Sequence, residues 1–263
     1  MQFSEILAQI TPAADQQLLL PDGWGQGRAL FGGITAAIAW QHAHYGADPE
    51  QQLRAFTVSF VAPIQPGEAR LQRRILRQGK NVTQIAVEII QDSEVVLIAL
   101  ASYGRSRASS ISVPATVTAD MPAREQGISF PPLDILPEFT HHYDYRICTG
   151  NLPFSGDTSR EFGGWMRYRH EDKPIDIGLL LGLVDAWPPA LLPHLSSPAP
   201  ASSLTWTIEF PDQLPADRRC NSWWQYLATI DHAENGYGHT HAHIWDDAGR
   251  LVAISRQTVT VFG

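Results

Sequence analysis

The stretch GLLLGLVDAWPP, residues 178–189, sets one carboxylate among apolar side chains. Leu179, Leu180, Leu181, Leu183 and Val184 cover nearly every face of the helix this segment predicts, so that helix is expected to be buried. Pro188 and Pro189 should stop it, leaving Asp185 in the last turn. An unpaired carboxylate there is doubly unfavourable: desolvation is costly, and the helix dipole disfavours negative charge at that end. A charge so badly placed for stability is a candidate for chemistry. The competing reading is a surface residue at a frayed helix end.

Three other groups could do chemistry. GHTHAHIW puts His239, His241 and His243 on one strand face. Same-face neighbours lie roughly 6–7 Å apart, so three of them seldom close on one ion, and a solvated or pocket-rim strand is the favoured reading. GWGQGRALFGG precedes a helix but lacks G-x-G-x-x-G spacing, so turn formation and close helix–sheet packing are expected. The N–H groups at Gly32 and Gly33 could still face a phosphate or an oxygen that gains negative charge. Arg70, Arg73, Arg74, Arg77 and Lys80 form a basic run read as a solvated strand and turn, the alternative being contact with the phosphates of a ligand.

The elements that must position these residues occur twice. FGGITAAIAWQHAH (31–44) predicts a helix of small residues, followed by a strand at 53–60, a Pro/Gly turn, and three strands ending near Gly104. PIDIGLLLGLVDAW (174–187) predicts the second helix, followed by a strand at 202–210, the turn PDQLPAD, and three more strands to the end. ENG and DDAGR supply hairpin turns. Each repeat alone leaves a sheet face and edge exposed, so the two are expected to share one continuous sheet with the helices packed on it. The expected organisation is an α+β fold: a first repeat over 1–105, a Pro/Ser/Thr-rich linker over 106–141, and a second repeat over 142–263.

Over 263 residues, a net charge of −8 argues against a general nucleic-acid binder. Two cysteines, Cys148 and Cys220, cannot form a disulfide framework, and a reducing cytoplasm is the expected setting. The N-terminus has no basic segment followed by an apolar run, so no signal peptide is expected, and no apolar stretch approaches the roughly 20 residues that span a bilayer.

This layout resembles a tandem hotdog, and its motifs are similar to those of type II acyl-CoA thioesterases (TesB-like). RALFGG (28–33), FTVSFVAPIQPGE (56–68) and LRQGKNVTQIAVEIIQDSEVVLIALASY (76–103) carry the likeness, which runs from about Leu18 to the end. PDQLP after Phe210 departs from the family's His-Arg-Pro turn. The resemblance implies hydrolysis of an acyl-CoA thioester without metal or redox cofactor, in a homodimer or larger homo-oligomer. It implies a water-holding trio at Asp185, Ser203 and Gln257, with substrate contacts at Gly32, Gly33, Arg77, Gly79 and Lys80. In such a setting fixed polar partners satisfy Asp185, desolvation raises its pKa, and the carboxylate becomes a stronger base. Aligning the repeats sets Leu53 against Ser203, Tyr103 against Gln257 and Trp40 against Asp185, so only the second half is expected to hold the water site. The rival readings are a hotdog enoyl-CoA hydratase or dehydratase, and a non-catalytic acyl-CoA or lipid-binding protein.

Overall fold

A computed structural model describes residues 1–115, 120–130 and 136–262. Parts of the expected linker, 116–119 and 131–135, lie outside these residues. The first half comprises α1 (Phe3–Leu7), β1 (Asp15–Leu20), the short pair β2 (Gly25–Gln26) and β3 (Ala29–Leu30), and α2 (Gly32–His44). It continues through β4 (Gln52–Phe60), β5 (Gly67–Gln78), β6 (Val82–Gln91) and β7 (Glu94–Gly104). The second half has β8 (Ile128–Ser129), β9 (Tyr143–Thr149), β10 (Glu161–Tyr168) and α3 (Ile177–Ala186). Then come β11 (Ala201–Glu209), β12 (Trp224–Glu234), β13 (Tyr237–Trp245) and β14 (Leu251–Val261).

Twelve of these strands form one sheet in the order β1-β5-β6-β7-β4-β11-β14-β13-β12-β10-β9-β8. The halves join where β4 pairs antiparallel with β11, Thr57 opposite Thr207, their hydroxyls 3.2 Å apart. This central pair makes Phe60 the counterpart of Phe210 and Leu53 that of Ser203. Both strands shift register at corresponding points, between Leu53 and Ala55 and between Ser203 and Thr205. The shared sheet removes two edges that each repeat alone would expose.

The two helices pack antiparallel, and their glycines set the distance. A Cβ on Gly33 would stand 3.1 Å from Cβ of Asp185, and one on Gly178 would stand 3.0 Å from Cζ3 of Trp40. These reciprocal contacts make Gly33 the counterpart of Gly178 and Trp40 that of Asp185, as the sequence repeat implies. The last strands slip by two from the expected alignment. Phe56 pairs with Ala101 and Trp206 with Gln257, so Ala101, not Tyr103, is the counterpart of Gln257. The physical reason is unequal connections: 61–66 join β4 to β5 where 210–223 join β11 to β12, and the turn between β13 and β14 is also longer than that between β6 and β7.

Candidate active site

Asp185 gains its position from both ends of α3. At the start, the Asp176 side chain accepts the Leu179 N–H at 2.8 Å, capping the helix. At the end, Trp187 turns extended before the prolines. Two buried tyrosines fix the helix on the sheet: the Tyr168 hydroxyl donates to the Leu179 carbonyl at 2.9 Å and the Tyr145 hydroxyl to that of Ala186 at 3.0 Å.

The carboxylate so placed meets two partners. Nε2 of Gln257, on β14, donates to Oδ1 at 3.0 Å. Oδ2 faces the first turn of α2, where a Cβ on Gly32 would come within 2.8 Å of it, and the Gly33 N–H favours the charged form. Asp185 therefore sits at the unfavourable end of its own helix and the favourable end of the other, so the two dipoles oppose each other. Burial then dominates. It raises the pKa of Asp185 from 3.8 to about 6, against the lowering effects of Gln257 and Gly33. The residue keeps partial exposure, which leaves a path for water. At neutral pH this is a mostly ionised carboxylate of raised basicity, suited to accept a proton from water.

Ser203 pairs with Val259, two residues beyond Gln257 on the same strand, which puts it on the sheet face that Gln257 occupies. Among the described residues its hydroxyl is bonded to neither Asp185 nor Gln257. Gly32 and Gly33 are brought to the carboxylate. Arg77, Gly79 and Lys80 are not. Their hairpin lies beyond Val82, which pairs with Gly104 and through it with Gln52, whereas the ring of Phe60 is what approaches Gly32. Gln52 and Phe60 are opposite ends of β4, about 25 Å apart at the rise of a strand. Gly79 serves the hairpin, its N–H donating to the Val82 carbonyl at 2.9 Å. In the histidine strand, Nδ1 of His241 contacts Asp231 at 2.9 Å, and among the described residues no His, Cys, Asp and Glu cluster is arranged to hold a metal.

Aromatic rings lie near Asp185, whose charge acts on the phenols of Tyr143, Tyr145 and Tyr226. Trp187 stacks on Tyr226 at 5.4 Å and meets Phe162 at 5.4 Å and Tyr145 at 5.9 Å. Burial, and to a lesser extent the charge of Asp185, raise the pKa of the Tyr226 phenol, which stays neutral. Tyr145, Phe162 and Tyr226 escape sequence reasoning because they lie on strands distant in sequence from Asp185. Tyr145 and Tyr226 fall on the inward-facing positions of β9 and β12, whereas Phe162 is on β10, whose pattern the following glycines interrupt.

Comparison with known families matches residues 20–104 to the acyl-CoA thioesterase N-terminal domain and residues 114–261 to the acyl-CoA thioesterase C-terminal domain. The chain belongs to the acyl-CoA thioesterase family. Its fold is that of solved double-hotdog structures. A conserved hot dog fold protein of Alicyclobacillus acidocaldarius is 24% identical, with TM-score 0.87, covering 99% of this chain and 98% of that one. The acyl-CoA thioesterase II TesB2 of Mycobacterium marinum is 21% identical, with TM-score 0.72, covering 100% and 97%. The tesB protein of Mycobacterium avium subs paratuberculosis is 13% identical, with TM-score 0.74, covering 100% of both. No curated protein sequence matches. No helix among the described residues is long and apolar enough to cross a membrane.

Proposed function

We propose that the chain hydrolyses an acyl-CoA thioester to a free acid and coenzyme A, with Asp185 as general base. One observation carries the reading: a carboxylate of pKa about 6, bonded to Gln257 and lying at the N-terminus of α2. Asp185 accepts a proton from water as the water oxygen attacks the thioester carbonyl. The new C–O bond forms, the tetrahedral oxyanion collapses, and the C–S bond breaks to release the thiolate. Gln257 holds the carboxylate and Ser203 orients the water. The first-turn N–H groups of α2 face the site, where negative charge develops on the thioester oxygen. A thioester has a good leaving group, so a positioned water suffices as nucleophile.

The test is release of free thiol from a panel of acyl-CoA substrates, with wild type and Asp185→Asn run together. Thiol release by wild type and its loss in the variant support the assignment. Binding of acyl-CoA without turnover by wild type overturns it in favour of a carrier, and hydration of an enoyl-CoA overturns it in favour of a hydratase.

A further inference from the structure

Hydrolysis at Asp185 requires the thioester carbonyl beside its carboxylate while the phosphates of coenzyme A stay in water, since burying them is costly. The acyl group then points inward. Inward of Asp185 lie Tyr145 and Tyr226, whose phenols feel its charge, and both rings pack on Trp187, which is only 3% exposed. Its indole is in contact with the rings of Tyr226, Phe162 and Tyr145. Tyr145 is held in place by its bond to the Ala186 carbonyl. The row continues through Tyr143, 6.2 Å from Tyr145, to Phe31, 6.2 Å from Tyr143 and next in sequence to Gly32. Rings packed at these separations close the way that a long aliphatic chain would take. In this aromatic wall the Nε1 of Trp187 is buried and has no hydrogen-bond partner among the described residues. A buried donor without an acceptor is unusual in a folded protein.

Resting on the hydrolytic reading above, we propose that Trp187 ends the acyl pocket. The protein then takes coenzyme A thioesters of short acyl groups bearing an oxygen acceptor, which the indole N–H binds. Chain length is restricted by the ring and polarity is recognised by the nitrogen.

The test compares kcat/KM for butanoyl-CoA, 3-hydroxybutanoyl-CoA and dodecanoyl-CoA, together with calorimetric affinities for non-hydrolysable thioether analogues of the same three. Wild type is expected to favour both short substrates over dodecanoyl-CoA by about tenfold or more. Trp187→Phe, which keeps a ring but lacks the N–H, should lower the 3-hydroxybutanoyl to butanoyl ratio about fivefold. Trp187→Ala should raise the dodecanoyl to butanoyl ratio about tenfold. If Trp187→Ala does not fold, the wild-type profile and Trp187→Phe still decide. Equal or better use of dodecanoyl-CoA by wild type overturns the proposal, as does an unchanged polar ratio in Trp187→Phe. If no thioester is hydrolysed, the proposed function fails on its own. The analogue affinities then decide the pocket: the same order supports it, and a preference for the dodecanoyl analogue overturns it.

Discussion

In the proposed mechanism Asp185 is where stability and activity oppose each other most directly. Its carboxyl has a pKa of about 6 in the folded chain against an ordinary 3.8, so between those values the folded state binds the proton more tightly than the unfolded state. Stability from this group is therefore greatest below pH 4 and declines as pH rises through 6. Above that, the buried charge costs the folded state about 3 kcal/mol. Asp185→Asn should remove the penalty, raising the melting temperature at pH 7 and matching wild type near pH 3. Turnover should move the other way and fall about 10²–10⁴-fold. A variant that melts early yet hydrolyses at the parental rate would sink the base assignment. Wild-type kcat/KM should rise with pH through a midpoint near 6. Gln257→Ala deletes a bond that favours the charged form, so the midpoint should shift upward while kcat falls; a pH profile with the midpoint in place would detach Gln257 from the base. Asp185 is legible in sequence because charge breaks an otherwise apolar helix. Gln257 is an ordinary strand residue 72 positions away, and only the family resemblance pointed to it.

Helix–helix packing carries the next constraint. Ala in place of Gly inside a helix ordinarily gains about 1 kcal/mol. At Gly33 the added methyl would run into the Phe31 ring, which is fully buried and stacked on Phe139 at 4.5 Å. Overpacking of that kind costs about 1–3 kcal/mol, so the clash should win. Gly178→Ala is the matched control, because its methyl would meet Leu7 and Trp40 instead of Asp185. Thermal melts should show both variants destabilised. Activity measured well below the melting point should fall in Gly33→Ala and hold in Gly178→Ala; equal losses would mean that the α2 terminus merely packs. The two helices and eight repeat strands were readable because small-residue helices and period-two alternation survive burial. β10 was not, since Gly163 and Gly164 interrupt its pattern and its register shifts between them. β9 does alternate, with Tyr143, Tyr145 and Ile147 inward, but a Pro- and Ser-rich surrounding masks the signal. β1 is a six-residue edge strand whose pairing with β5 is long-range and leaves no local mark.

Across the whole molecule, the near-symmetry about Thr57 and Thr207 asks whether there are one or two working sites. The site already combines the halves, with Gly32 and Gly33 from the first and Asp185 and Gln257 from the second. Its symmetric counterpart exchanges these sources, and there the polar residues are gone. Trp40 replaces the carboxylate, Ala101 the amide and Leu53 the hydroxyl, and Trp40 packs onto Gly178 where Asp185 meets Gly33. Trp40 and Leu53 are buried, and neither can accept a proton from water. A single turnover site per chain is therefore expected, whatever the number of chains in an assembly. Two measurements check this together. A tight, non-hydrolysable inhibitor should extinguish activity at one equivalent per chain. Asp185→Asn should leave less than about 1% of wild-type turnover at saturating substrate, the lower bound for losing a general base. Were both ends active, titration would need two equivalents, and the Asp185→Asn variant would retain near half the rate through the end lined by Trp40. That outcome would show that the end lined by Trp40 turns over without a carboxylate at this position, and the asymmetry between the repeats would lose its functional meaning.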